Sequence, residues 1–300
     1  MLTFLKLGKK GNLGNQLFQI ASTVGIAKTE VLDYVFPYWK YSKFFENELP
    51  ELSDTHIEWR EVKEQKFEHH RWDLPNNYIS LNGWLQSEKY FSNYDVKDFF
   101  SFKKDFEEKL VSKFDYLFSK PSILITVRRG DFVDNKNYFQ LPYKFYFTAL
   151  LKYFPNFCHY NLIFASDDID YCKYHFKDLP NSFFLEGLSA IEQLCVASKC
   201  SHFIISNSTF SWWVAKLGEK KGTKIICPIK NFDGSYAKIY NDKDFYPEKW
   251  IKHDFANENI PLKYILLILK GELYKYNHII KNYFHIKRRS LKQYIKKKVL

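Results

Sequence analysis

Four short stretches hold most of the residues able to bind or react with a polar ligand. The first, Gly11-Asn12-Leu13-Gly14-Asn15-Gln16, follows the apolar run 2–7 and opens a segment in which Leu17, Phe18, Ala21 and Val24 recur at helical spacing. A strand, a glycine-rich turn and a helix in that order place backbone amides at a helix N-terminus, where an anion or a sugar binds. The same pattern also serves a tight connection without a ligand. Its glycine spacing is that of neither a dinucleotide fingerprint nor a phosphate-binding Walker loop.

The second stretch, 122–133, is an apolar strand that empties into Arg128, Arg129, Gly130 and Asp131. In an open α/β sheet the ligand crevice lies just past the carboxyl ends of the strands. Two guanidiniums there suit a diphosphate through bidentate charged hydrogen bonds; the competing reading is a surface turn in which Asp131 pairs with an arginine. The third, 161–173, runs into Asp167, Asp168 and Asp170, carboxylates that suit a ribose, a purine edge or a metal, or that cap the following helix. The fourth, 202–218, joins a strand to a helix through Asn207-Ser208-Thr209, with Ser211, Trp212 and Trp213 beyond. It reads as a second anion cradle or as a helix cap with buried tryptophans. The Gly-x-Ser-x-Gly elbow of a serine hydrolase is absent.

The elements that must position these stretches alternate. Apolar or β-branched runs at 2–7, 31–36, 78–84, 122–127, 161–166, 182–185, 202–206 and 223–228 are separated by helical stretches, which predicts α/β layers with largely parallel sheets. The lysine-rich connection near 102–121 divides the chain into lobes 1–118 and 119–255, followed by a helical tail, 256–300. With 300 residues, 46% hydrophobic and 19% aromatic, both lobes can hold packed cores.

The charge distribution argues against a nucleic-acid reading, which the overall basic charge alone would favour. The net charge is +11, but residues 261–300 carry eleven Lys/Arg against one acidic residue, Glu272, so the body is near neutral and contains no nucleic-acid motif. Five cysteines without metal-ligand spacing, and an opening without a signal-peptide profile, predict a reduced cytoplasmic compartment. The run YILLILKGEL, broken by Lys270, is far short of a membrane span.

Taken together, the stretches resemble the α-1,2-fucosyltransferase family, glycosyltransferase family 11, of bacterial type. Its motifs are G-G-L-G-N-Q, H-x-R-R-G-D and N-S-S/T-F/Y-S-W-W, matched here at 11–16, 126–131 and 207–213, while NGWLQSEKYF at 82–91 is similar to a fourth. Asn12 replaces the second glycine and Thr126 the histidine. The resemblance implies a GT-B-like fold of two Rossmann-like lobes with a cleft between them. It also implies inverting, metal-independent transfer of fucose from GDP-β-L-fucose to O2 of a terminal galactose, in surface polysaccharide or lipopolysaccharide synthesis. Another nucleotide sugar or acceptor, or a silent GDP- or glycan-binding relative, is the alternative. By the same resemblance Arg128 stabilises the leaving diphosphate; an inverting transfer needs a general base, for which Asp131 is the nominee, with Glu88 and Glu192 as others. Gly11, Gly14, Asn15, Gln16, Arg129, Asp168, Asn207, Ser208 and Ser211 bind donor, and Gln86, Ser87 and Tyr90 line the cleft. No cofactor and no metal are expected. The tail mixes Leu, Ile, Phe and Tyr with Lys and Arg, as interfacial helices do, and is expected to hold the protein peripherally on the cytoplasmic face of an anionic membrane near a galactose-terminated or lipid-linked acceptor. A solvated basic helix is the other reading.

Overall fold

The computed structural model describes residues 1–53, 56–75 and 78–267, and single residues or pairs from 269 to 288. The rest of the expected tail lies outside the described residues. Two parallel sheets organise the chain. The smaller holds β1 (Leu2–Thr3), β2 (Arg60–Lys63) and β3 (Ile79–Asn82) in the order β1-β3-β2, with α1 (Leu13–Thr29) between β1 and β2 in sequence. Helices α2 (Val96–Phe99) and α3 (Lys104–Val111) lead to the larger sheet.

That sheet contains β4 (Ser122–Val127), β5 (Asn161–Ser166), β6 (Ser182–Phe184), β7 (His202–Ile204), β8 (Ile225–Pro228) and β9 (Ile251–His253), ordered β6-β5-β4-β7-β8-β9. Strand order reverses between β4 and β7, whose facing partners, such as Ile123 and His202, are far apart in sequence; the sheet grows one way through β5 and β6 and the other through β8 and β9. Helices α4 (Tyr143–Tyr153), α5 (Ile169–Phe176), α6 (Ala190–Ala197), α7 (Thr209–Gly218) and the short α8 (Tyr236–Ile239) fill the connections. Side chains of β4 alternate between layers with the strand period of two. Ile123, Ile125 and Val127 pack with Phe145 and Phe147 of α4 and Phe176 of α5. Leu124 faces the cluster that includes Leu194 of α6 and Trp213 of α7.

Helix α1 carries no charged residue before Lys28 and is buried at nearly every position. A helix without a polar face needs neighbours all round, and α1 has them because it is wedged between the lobes. Its Phe18 ring lies 4.6 Å from Trp212 and 5.2 Å from Trp213, with Phe91 at 6.2 Å. The Trp212 indole donates to the Phe245 carbonyl at 2.8 Å. The two tryptophans are therefore core, and that core joins the lobes.

Three elements differ from the sequence expectation. Segment 31–36 forms no strand: Val31 has φ +53°, and only a bridge from Tyr34 to Leu2 and another from Phe36 to Glu51 form. With β1 two residues long, there is no ladder for it to extend. Strand β2, Arg60-Glu61-Val62-Lys63, escapes the hydrophobic pattern because it is a largely exposed edge. Strand β9 is too short to read as a periodic run.

His175 on α5 is buried beneath aromatic rings, stacked on Tyr143 at 4.9 Å and beside Tyr171 at 4.3 Å. Burial, helped by the charge of Arg129, pushes its pKa down to about 3. The unfolded ring protonates near pH 6.5 while the folded ring stays neutral, so stability is full above that pH and falls between about 6.5 and 3, by up to about 1.4 kcal/mol per pH unit. Replacing His175 with Phe keeps the stacking and removes this linkage. Melting temperatures at pH 7.5 and 5 are expected to differ less in His175→Phe than in the parent chain.

Candidate active site

The carboxyl ends of β4, β5 and β7 open into one cleft of about 680 Å³, within the range of small-molecule sites. It sits at the reversal of strand order, where open α/β sheets place their ligands. The large sheet contributes Thr126, Arg128, Asp131, Asp167 and Asn207–Ser211; the smaller lobe contributes Gly11–Gln16, Lys40, Tyr41, Trp84 and Gln86.

Two helix N-termini meet here. Neither Asn12, which caps α1, nor Ser208, which caps α7, closes its helix with a side-chain hydrogen bond, and the first turns of both helices line the cleft. Each end carries about half a positive charge from its aligned peptides. The close approach depends on Gly14, where a Cβ would come within 2.5 Å of the Thr209 carbonyl carbon. Gly14 thus serves the contact between helices, whereas Gly11 supplies the turn with φ +75°. Asn12 has φ −87°, ordinary extended backbone that needs no glycine.

The paired arginines divide. Arg128 faces the cleft, held by an ion pair from Nη2 to Asp131 and another from Nη1 to Asp167 at 2.9 Å. Arg129 turns away: its Nε meets Asp168 at 3.1 Å and its guanidinium lies 4.0 Å from the Tyr171 ring. Asp168 caps α5, accepting the Tyr171 amide at 3.1 Å. The carboxylate of this pair that faces the cleft is Asp167, which also accepts the Arg129 amide at 2.9 Å. Thr126 is buried on β4, where its hydroxyl accepts the Ser206 amide across to β7 at 3.2 Å.

The remaining expected residues fall into two groups. Asn15 accepts from Gln86 at 2.8 Å, which ties the first motif to 82–91. Gln16 donates to the Gly11 carbonyl and accepts from the Trp39 indole; Asn207 donates to the Phe139 and Asn231 carbonyls; Ser211 pairs with Ser206. All of these line the cleft while serving its frame, and Ser208 lines it as well. Ser87 and Tyr90 are instead outside its lining: Ser87 caps the turn Glu88–Phe91, and the Tyr90 hydroxyl contacts His70 at 3.0 Å. Glu88 pairs with Lys216 at 2.7 Å and Glu192 closes a capping box with Ser189, which gives both a structural task.

Sequence reasoning missed an aromatic wall of Tyr41, Trp84, Tyr138, Tyr236 and Tyr240. Trp84 lay within a recognised motif; the tyrosines come from segments without a pattern. Trp84 is held by an unusual device. Leu85 has φ +57°, a conformation rare for a branched side chain. The Glu64 carboxylate accepts the amides of Trp84 and Leu85 at 2.7 and 3.0 Å, while Ser22 binds the Leu85 carbonyl at 2.8 Å. Among the described residues, no group of three or more His, Cys, Asp or Glu is placed to hold a metal ion.

A family model for glycosyl transferase family 11 matches residues 10–254, and the chain belongs to that family. It is 29% identical to an α-1,2-colitosyltransferase of Escherichia coli over 186 residues, 58% of this chain and 62% of that protein. It is 31% identical to the O-antigen biosynthesis glycosyltransferase WbnK of Escherichia coli over 134 residues, 42% of each. The matches therefore span less than two thirds of either relative. A solved structure of an Arabidopsis thaliana FUT1 variant in complex with GDP superposes with a TM-score of 0.50 at 12% identity, over 75% of this chain and 70% of that one. That likeness is one of fold, and the two α/β lobes across a cleft are the GT-B-like architecture expected from the sequence.

Gly14→Ala is expected to push α1 and α7 apart at a cost of about 1–3 kcal/mol, read as a melting temperature lower by about 2–4 °C per kcal/mol. Glu64→Gln retains one acceptor oxygen where two amides need one each, and should destabilise by about 1–3 kcal/mol in chemical unfolding.

Proposed function

We propose that the chain transfers L-fucose from GDP-β-L-fucose to O2 of a terminal galactose in a cell-surface glycan, with inversion at the anomeric carbon and without a metal. The observation that carries this reading is the meeting of two uncapped helix N-termini with Arg128 in one cleft. Such a site concentrates positive charge and backbone donors, which is what a departing nucleoside diphosphate requires. Arg128 reaches the cleft already oriented by two carboxylates, so it binds the β-phosphate with little reorganisation. The aromatic wall offers flat apolar faces to the less polar sides of the acceptor pyranose.

As the bond between the fucose anomeric carbon and the β-phosphate oxygen breaks, the acceptor oxygen bonds to that carbon and its proton passes to a base. Asp131 and Asp167 are the carboxylates lining the cleft among the described residues. Asp167 is occupied by Arg128 and the Arg129 amide, whereas Asp131 meets Arg128 alone and its side chain is 69% exposed. Asp131 therefore has the room to take the proton. The relative named as a colitosyltransferase supports a second reading, in which the donor carries colitose, the 3-deoxy counterpart of fucose.

Transfer from GDP-fucose and GDP-colitose to terminal β-galactosides, with a chelator present, tests both. An α-1,2 product from GDP-fucose that persists with chelator is the expected result; product from GDP-colitose alone moves the donor to the second reading. Arg128→Ala should lower the rate by ~10²–10³, and Asp131→Asn should lower turnover by about 10²–10⁴ while GDP still binds. Failure of GDP to bind the parent chain overturns the proposal.

A further inference from the structure

The start of the tail has two faces with different fates. Beyond the turn Leu262–Tyr264, the described residues from 265 to 288 have helical backbone. One face is seated on the larger lobe. Tyr264 meets Phe147 of α4 at 5.0 Å, Lys270 pairs with Asp178 at 2.8 Å, and Tyr274 lies 4.9 Å from Tyr174 and 5.2 Å from both Tyr171 and His175 of α5. With Leu267, which packs on the same core, Tyr264, Lys270 and Tyr274 recur at spacings of three and four and form one helical stripe.

Among the described residues the opposite stripe has no cover. Leu262, Leu266, Leu269, Leu273, Tyr276, Ile280 and Tyr283 alternate at spacings of four and three, and each exposes more than half of its surface. Seven large apolar side chains at helical spacing exceed what scattered surface residues present, and a stripe of this kind marks a contact. The charge around it selects the contact. Lys263, Lys287 and Arg288 are exposed, and residues 261–300 contain eleven Lys/Arg and one acidic residue. Two copies meeting through the stripe would bring about ten positive charges on each together, with Glu272 as the sole acid to set against them. A surface rich in anionic lipid accepts both the apolar stripe and the cations, and tyrosines are at home in the headgroup region. No described helix is long and apolar enough to cross a membrane, so the helix would lie along the surface.

We propose that Leu262, Leu266, Leu269, Leu273, Tyr276, Ile280 and Tyr283 dock on an anionic bilayer while Tyr264, Leu267, Lys270 and Tyr274 hold the helix to the larger lobe. The proposal is independent of the donor and the acceptor.

The full chain is co-sedimented with vesicles of phosphatidylcholine alone and of phosphatidylcholine with phosphatidylglycerol. Binding to the anionic vesicles, weakened by salt and much poorer to the neutral ones, is expected. The double variant Leu266→Glu, Leu273→Glu should lose on the order of 100-fold in vesicle affinity, and Lys287→Glu, Arg288→Glu about ten-fold or more. All four residues are exposed and none lines the cleft, so GDP binding by both variants should match that of the parent chain; this separates failure of the surface from failure of the fold. Absence of binding to anionic vesicles, or binding unaltered in the leucine variant, overturns the proposal. So does a dimer in sedimentation velocity that the leucine variant dissolves, which assigns the stripe to a second copy.

Discussion

The structure depends on two helix N-termini brought within backbone contact. Gly14 on α1 lies against Thr209 and Phe210 on α7, and each helix ends there without a side-chain cap. Like ends of two peptide dipoles repel, so this arrangement needs support from elsewhere. The support is the aromatic core behind it, where Phe18 of α1 packs on Trp212 and Trp213 of α7. Hydrophobic burial holds the lobes together a few residues away from the electrostatic conflict.

Around this centre, polar side chains are shared between frame and cleft. Gln16, Asn207 and Ser211 line the opening while hydrogen-bonded to the turns that shape it. The adjacent arginines show the same economy: Arg128 faces the cleft, whereas Arg129 locks the start of α5 through Asp168 and Tyr171. Neighbouring residues past a strand end point in different directions, so one position can serve the ligand while the next fixes the loop.

The tail reaches the same support. Tyr274 lies near Tyr171 and 5.8 Å from the Arg129 guanidinium, so the helix that carries the apolar stripe rests on the residues that brace the loops following β4 and β5. The acid-sensitive His175 sits in that aromatic cluster. The start of the tail and the loop that follows β5 thus meet on α5.

By itself, the sequence determined the parallel α/β layers, because buried strands such as 122–127 and 161–166 are apolar runs that few other elements produce. It determined the four stretches, since glycine, arginine and small polar residues at strand ends are costly to place without a reason. Tertiary structure alone decided which members of each stretch face the cleft. Asp167 and Asp168 are the same residue type at adjacent positions, and only the direction of the chain leaving β5 makes one a cleft residue and the other a cap. Gly14 reads in sequence as a point of ligand approach; in the structure it lines the cleft and also admits the partner helix, almost 200 residues away in sequence. The tyrosine wall and the edge strand β2 left no local pattern for the same reason: their roles are set by long-range neighbours, and a window of ten residues contains no record of those.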